Sequence, residues 1–278
     1  MSADDPWSAL RRFTAARIAL GRTGVSIPTR AHLAFQLAHA QARDAVHAAF
    51  DPQALGDALR AAAAPAWPQA AVLVLDSAAP DRATYLRRPD LGRRLSDEAR
   101  SALESRRVPP ERGPTGTPAP DLAIVVADGL SARAVQAHAA PLVGMLAERL
   151  ADLGWQPAPL VVIRQGRVAV GDEVGAALGA RAVLVLLGER PGLSSPDSLG
   201  AYLSWAPRVG LSDAQRNCVS NIRPDGLPIE AAAARLTWLL QAARARGLTG
   251  VGLKDESGEA LPAPAVAPPL VAAPSDPC

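Results

Sequence analysis

Few residues here are of types that do chemistry, and their spacing excludes most of the chemistry they could do. His32, His39 and His47 fall with Gln36 and Arg43 at steps of four, three, four and four, one ridge of a helix. His39 and His47 are eight residues apart, about 12 Å along a helix at roughly 1.5 Å per residue, too far to share a metal ion. The ridge reads as a solvated or partner-facing surface. Cys218 stands between Asn217 and Val219 with Arg216 as its one basic neighbour, so a buried inert thiol is the plain reading. No Gly-x-Ser-x-Gly elbow, His-Glu-x-x-His, cysteine pair at metal spacing or Walker motif occurs. Gly247, Gly250 and Gly252 follow a helix, not a strand, which is the wrong context for a dinucleotide. The chain thus lacks a complete catalytic set. Two classes remain: a binding module whose ligand carries the chemistry, or a structural subunit that shapes a partner's site.

Two short segments could touch a ligand. Asp128-Gly129-Leu130-Ser131 and Gly188-Glu189-Arg190-Pro191-Gly192 each follow an apolar run, where a parallel sheet places its ligand. The first also reads as an ordinary strand-to-helix turn, with glycine for the backbone and serine for the cap. In the second, Glu189 and Arg190 suit either a polar ligand or ion pairs that hold the loop.

The elements that must position these segments follow from periodicity. Ser8 to Leu20 is an amphipathic helix (Ala9, Phe13, Ala16, Leu20), and Ala31 to Phe50 is a longer one with Phe35, Ala38, Ala42, Ala45 and Ala49 on its stripe. Asp51-Pro52 ends it. Ala70 to Leu75 is a strand, followed by an arginine-rich connection over 81–94 and a helix from Ser96 to Arg106. Residues 108–120 hold five prolines and two glycines and read as an exposed connector. Beyond it, strands alternate with helices: Leu122 to Ala127, a helix past Pro141 to Leu153, Leu160 to Ile163, Val168 to Val170, a short helix over 172–178, and Ala182 to Leu187. Pro228 opens a last helix that Gly247 stops. The expected class is α/β, a mostly parallel sheet flanked by helices and preceded by an N-terminal helical arm. The division is an arm over 1–69, a sheet domain over 70–253 and an unstructured Pro and Ala-rich tail over 254–278.

At 278 residues, 49% apolar and 20% charged, the chain has the composition of a globular protein long enough to bury a core without staples. The net charge is +2, and 28 of the 29 basic residues are arginines scattered among acids, not a stripe with aromatics, so no nucleic-acid partner is expected. No export signal and no membrane-length apolar run is present, and two cysteines suit a reducing cytoplasm.

Five blocks in order resemble one family, the small subunit of adenosylcobalamin-dependent ethanolamine ammonia-lyase: Leu10 to Gly24 (LRRFTAARIALGRTG), Tyr85 to Leu95 (YLRRPDLGRRL), Val126 to Ser131 (VADGLS), Gly188 to Ser198 (GERPGLSSPDS) and Arg216 to Ile222 (RNCVSNI). The resemblance implies a Rossmann-like domain whose preceding helices embrace a large barrel subunit, with the corrinoid between the two chains. It implies that the large subunit holds ethanolamine, and that the pair converts it through a cofactor radical to acetaldehyde and ammonia. By matching motif, the family's corrinoid contacts fall on Val168, Glu189 and Cys218. The alternative is an assembly subunit of the same complex that stabilises the large chain without touching the cofactor.

Many cobalamin-binding domains of this kind carry Asp-x-His-x-x-Gly, whose histidine replaces the cofactor's own base on cobalt. Here Asp44-Ala-Val-His47 has the wrong spacing and His138 lies inside a predicted helix. The cofactor is therefore expected to bind with its dimethylbenzimidazole on cobalt. The chain starts almost directly at the first shared block. Because long N-terminal extensions in relatives can serve packaging, a free cytoplasmic complex is expected over a bacterial microcompartment.

Overall fold

The computed structural model describes residues 6–14, 16–106 and 119–258. Residues 108–118 of the expected connector over 108–120, and residues 259–278 of the expected tail over 254–278, lie outside the described residues.

Strands β1 (Val72–Asp76), β2 (Leu122–Ala127), β3 (Leu160–Arg164), β4 (Ala182–Gly188), β5 (Leu199–Trp205) and β6 (Asn217–Ile222) form one sheet in the order β1-β3-β2-β4-β5-β6. The first four in that order run parallel, β5 is antiparallel to β4, and β6 is antiparallel to β5. The expected mostly parallel sheet is thus a mixed one. β5 and β6 escape a search for apolar runs because Gly200, Ser204, Asn217, Ser220 and Asn221 interrupt them, and β6 exposes much of its length at the sheet edge.

Alternation along the parallel strands feeds two cores. Leu122, Ile124 and Val126 of β2, with Leu160, Val162, Leu184 and Leu186, pack against α2 (Pro52–Ala63), α5 (Ala132–Asp152) and α7 (Ile229–Arg246). Ala123, Val125 and Ala127, with Val161, Ile163, Val183 and Val185, pack against α4 (Asp97–Glu104) and α6 (Val170–Leu178). All six residues of β2 are buried, as a strand covered on both faces requires. Each fully buried leucine or valine contributes about 1.5–3 kcal/mol.

Caps set most helix starts, among them the short α3 (Arg82–Arg87), where Asp81 Oδ1 accepts from Thr84 N (2.7 Å). Ser131 accepts from Ala134 N (3.3 Å) and Ser96 from Ala99 N (3.1 Å). Pro141 lies inside α5 without ending it, on the exposed side. α7 runs from Pro228 as its cap to a left-handed Gly247, as expected.

Three expectations change. Helix α1 (Thr29–His47) ends at an extended Ala48, short of the expected stop at Asp51-Pro52, and that dipeptide instead starts α2, since Asp51 Oδ1 accepts from Gln53 N (3.1 Å) and Ala54 N (3.0 Å) and proline fits the first helical position. Residues 8–20 are not an α-helix. A 3₁₀ helix spans Pro6–Phe13, and with Trp7, Leu10 and Phe13 exposed there is no core contact to stabilise so short an α-helix. Val168 belongs to no strand. Gln165 adopts a left-handed φ of 58°, and the chain turns directly into α6 through Val170 N to Arg167 O (3.0 Å) and Gly171 N to Val168 O (3.1 Å). Among the described residues no helix is long and apolar enough to cross a membrane.

Candidate functional site

From β2 the chain passes through α5 to β3 on one side, then back through α6 to β4 on the other side of β2. The strand order reverses between β2 and β4, so their C-terminal ends part and leave a crevice. A cleft of about 460 Å³ opens there, with Leu130, Val168, Glu189, Arg190 and Tyr202 among its lining. A larger hollow of about 800 Å³ lies beside β1 and β3, lined by Leu75, Ser77, Glu98 and Gln165. It flanks the edge strand, away from the reversal, and holds none of the three expected contact residues.

The two loops at the crevice are locked to each other. Leu130 N donates to Gly188 O (2.8 Å), and Ser131 Oγ donates to Pro196 O (2.9 Å). Gly129 has φ 55°, and a Cβ there would overlap the Gly188 carbonyl and come within 2.8 Å of Leu187 Cγ. Close approach and a left-handed turn together demand glycine.

Asp128 is buried at the floor of this junction. Its Oδ1 accepts from Gln165 N (2.6 Å), and its Oδ2 accepts from Arg82 Nη1 (3.0 Å). Burial pushes its carboxyl up to about 6 against the pull of Arg82 and the backbone amides. Arg82 also donates to Gly129 O (2.7 Å) and, from Nη2, to Val46 O (2.7 Å), tying the end of α1 to the loop. Arg82 and Arg167 cover the ring of Tyr85, with guanidinium carbons 5.0 and 4.6 Å from its centroid. The Tyr85 hydroxyl donates to Gly166 O (3.2 Å), and burial raises it to about 12. Asp128, Arg82 and Tyr85 thereby fix the turn that carries Arg167 and Val168 into the cleft.

On the opposite wall, Glu189 N donates to Ser198 O (3.0 Å), and Glu189 Oε2 accepts from Ser198 Oγ (2.5 Å) and from Asn221 N (3.4 Å). Its Oε1 lies over Gly200, where a Cβ would stand 2.7 Å away. Tyr202 is the cross-strand partner of Cys218. Burial pushes the Tyr202 hydroxyl far up, with Cys218 and Glu189 adding to it. Cys218 is exposed on the edge strand, so the buried-thiol reading is corrected. Partial desolvation by its surroundings raises the thiol, Tyr202 beside it opposes that, and the Glu189 carboxylate raises it further, so the net shift is upward and it is a poor nucleophile near neutral pH.

Val168 and Glu189 line one cleft. Cys218 does not line it, but its partner Tyr202 does. Asp172 and Arg216 form a buried double hydrogen bond (2.7 and 2.7 Å) that holds α6 to the segment leading into β6. The histidine ridge on α1 is exposed, with His39 stacked on Phe35 at 6.3 Å. Among the described residues no three His, Cys, Asp or Glu side chains are grouped to hold a metal ion. The reading from sequence missed Tyr85, Arg167 and Tyr202 as parts of the cleft and Arg82 as the residue stacked behind it on Tyr85, and Tyr85 and Arg167 lie 82 positions apart. One signal was present: Tyr85 heads a block dense in arginine.

The family model "Ethanolamine ammonia-lyase light chain (EutC)" matches residues 4–254. A protein of Azotobacter vinelandii called ethanolamine ammonia-lyase small subunit is 58% identical over 254 residues, 91% of this chain and 90% of the relative. Proteins with the same description from Ralstonia nicotianae (57% over 251 residues, 90% and 88%) and Pseudomonas fluorescens (54% over 254 residues, 91% and 87%) are nearly as similar. The chain belongs to the ethanolamine ammonia-lyase light chain family.

Proposed function

We propose that this chain is the small subunit of ethanolamine ammonia-lyase and that its cleft grips one side of adenosylcobalamin while a separate large subunit covers the other and binds ethanolamine. The observation that carries this is that Val168, Glu189 and Tyr202, the cross-strand neighbour of Cys218, line one cleft at the reversal of strand order. The parallel strands with helices on both faces support a Rossmann-like reading of the sheet.

The residues fit a corrinoid. Glu189 Oε2 is occupied by Ser198 and Asn221, whereas Oε1 lies over the space Gly200 leaves open, placed to accept from a peripheral amide N–H. Val168 presents a small apolar side chain opposite. A corrinoid is far larger than a cleft of about 460 Å³, so part of it must lie outside this chain, against the partner. When bound, the cofactor supplies homolysis of its cobalt–carbon bond, the radical start of the deamination of ethanolamine to acetaldehyde and ammonia. This chain orients the ring and excludes water from its side. None of the four histidines, all among the described residues, lines the cleft, which supports dimethylbenzimidazole remaining on cobalt.

The segment before the sheet suits the large subunit. Among the described residues, eight of the eleven exposed large apolar side chains fall between Trp7 and Leu37, more apolar surface than a lone chain ordinarily leaves uncovered. In this reading residues 70–253 hold the cofactor, and α2 anchors the arm in the core through Leu55 and Leu59. The arm also supports a second reading, an assembly subunit without cofactor contact.

Co-expression with the large subunit and an acetaldehyde assay tests the proposal. Activity is expected only with both chains and adenosylcobalamin present. Activity from either chain alone rejects it.

A further inference from the structure

Arg167 is a half-buried cation without an anion. Its guanidinium is stacked on Tyr85, its Nε is buried with no hydrogen-bond partner, and Nη2 reaches only the Tyr85 carbonyl at 3.5 Å. The other cation over the ring, Arg82, is paired with Asp128 at 3.0 Å. Arg93 and Arg190 line the same cleft, and neither pairs with a carboxylate among the described residues. Neither acid of the cleft forms an ion pair with these arginines: Glu189 is oriented by Ser198 and Asn221, and Asp213 faces Arg216 at 3.6 Å. Three guanidiniums without a carboxylate partner around one cleft, one of them held over an aromatic ring, form a receptor for an anion with several oxygens.

We infer that Arg167, with Arg93 and Arg190 at the rim, binds the phosphodiester of the cobalamin nucleotide tail. The inference rests on the reading of this cleft as a corrinoid site. The periphery of cobalamin is otherwise made of neutral amides, and the phosphodiester is its one anionic group. A carboxylate accepting from amides on one wall and arginines facing a phosphate on the other would set the rotation of the ring in the cleft.

The test uses the complex of this chain with its large subunit and two probes, cyanocobalamin and dicyanocobinamide, the second lacking the phosphodiester and base. Equilibrium binding is measured by absorbance or calorimetry. Arg167→Gln is expected to weaken cyanocobalamin about tenfold, the loss of one charge-assisted hydrogen bond, and to change dicyanocobinamide by less than about twofold. Arg93→Ala and Arg190→Ala, at exposed positions, should shift cyanocobalamin in the same direction by less. These two carry the test if Arg167→Gln does not fold. Equal losses for both corrinoids, or none for cyanocobalamin in any variant, overturn the phosphate subsite and leave the cleft reading intact. A wild-type complex that binds neither corrinoid overturns both.

Discussion

Gly188 and Ser131 are packed so closely that a methyl group at 188 would overlap the Ser131 carbonyl oxygen and come within 2.5 Å of the Asp128 carbonyl oxygen. The contact is backbone against methyl, so no side chain can move aside to relieve it. Gly188→Ala is therefore expected to cost about 3 kcal/mol or more, at the upper end of overpacking effects. Gly154 is the control. It has φ 69° but nothing within 4 Å, so Gly154→Ala carries only left-handed strain, about 1–2 kcal/mol. Chemical denaturation of both variants checks the difference.

Asp128 should make stability fall as pH rises. Its carboxyl is raised to about 6 in the fold against 3.8 as a free group, so between these values the folded chain binds more proton than the unfolded one. Stability is then lost from about pH 4 to about pH 6 and level above that, with a total of about 1–3 kcal/mol from this group. Asp128→Asn should remove that slope. Denaturation curves for both proteins at half-unit steps, compared as a difference, isolate it; identical slopes would contradict the burial argument.

The buried Asp172–Arg216 pair and the exposed Asp76–Arg164 pair have similar geometry and unequal consequences. Both members of the first are nearly fully buried, and Arg216 also donates to Ser204 Oγ (2.9 Å) and Leu211 O (3.0 Å). Removing one partner strands the other, so Arg216→Ala is expected to cost about 3–5 kcal/mol. Arg164→Ala, at a pair about half exposed, should cost less than about 1 kcal/mol. Thermal melts of the two variants, interpreted with the same unfolding heat capacity, decide this.

Glu189 depends on Ser198 and Gly200 for its orientation. Ser198→Ala removes the hydrogen bond to Oε2, and Gly200→Ala would place a methyl 2.7 Å from Oε1. Each should weaken cyanocobalamin binding to the two-chain complex about three- to tenfold, the scale of one net hydrogen bond. Calorimetric titration is the check, and unchanged affinity in both would mean that Glu189 does not face the cofactor.

Legibility in the sequence follows what is local. β2 and β4 are unbroken apolar runs buried on both faces, so their bounds, and with them the loops carrying Asp128 and Glu189, could be placed from residue types alone. α7 is bracketed by Pro228 and Gly247 for stereochemical reasons. β5 and β6 were not legible because their polar residues either face solvent, as Ser220 and Asn221 do, or bond distant segments, as Ser204 does with Arg216 and Asn217 with Gly250, and Val168 read as a strand because a valine pair around alanine has strand composition. Asp51-Pro52 shows the limit of punctuation: it reads as the stop of one helix, but α1 already ends at His47 and the dipeptide caps the next. The Arg82–Tyr85–Arg167 stack depends on the crossing of two distant segments, which no local pattern encodes.

The most direct measurement is the affinity of cyanocobalamin for the purified two-chain complex carrying Glu189→Ala, set beside the wild-type complex. Loss of a half-buried carboxylate acceptor should weaken binding at least about tenfold while the two chains still co-purify. Equal affinity in the two complexes would show that this wall of the cleft does not hold the cofactor.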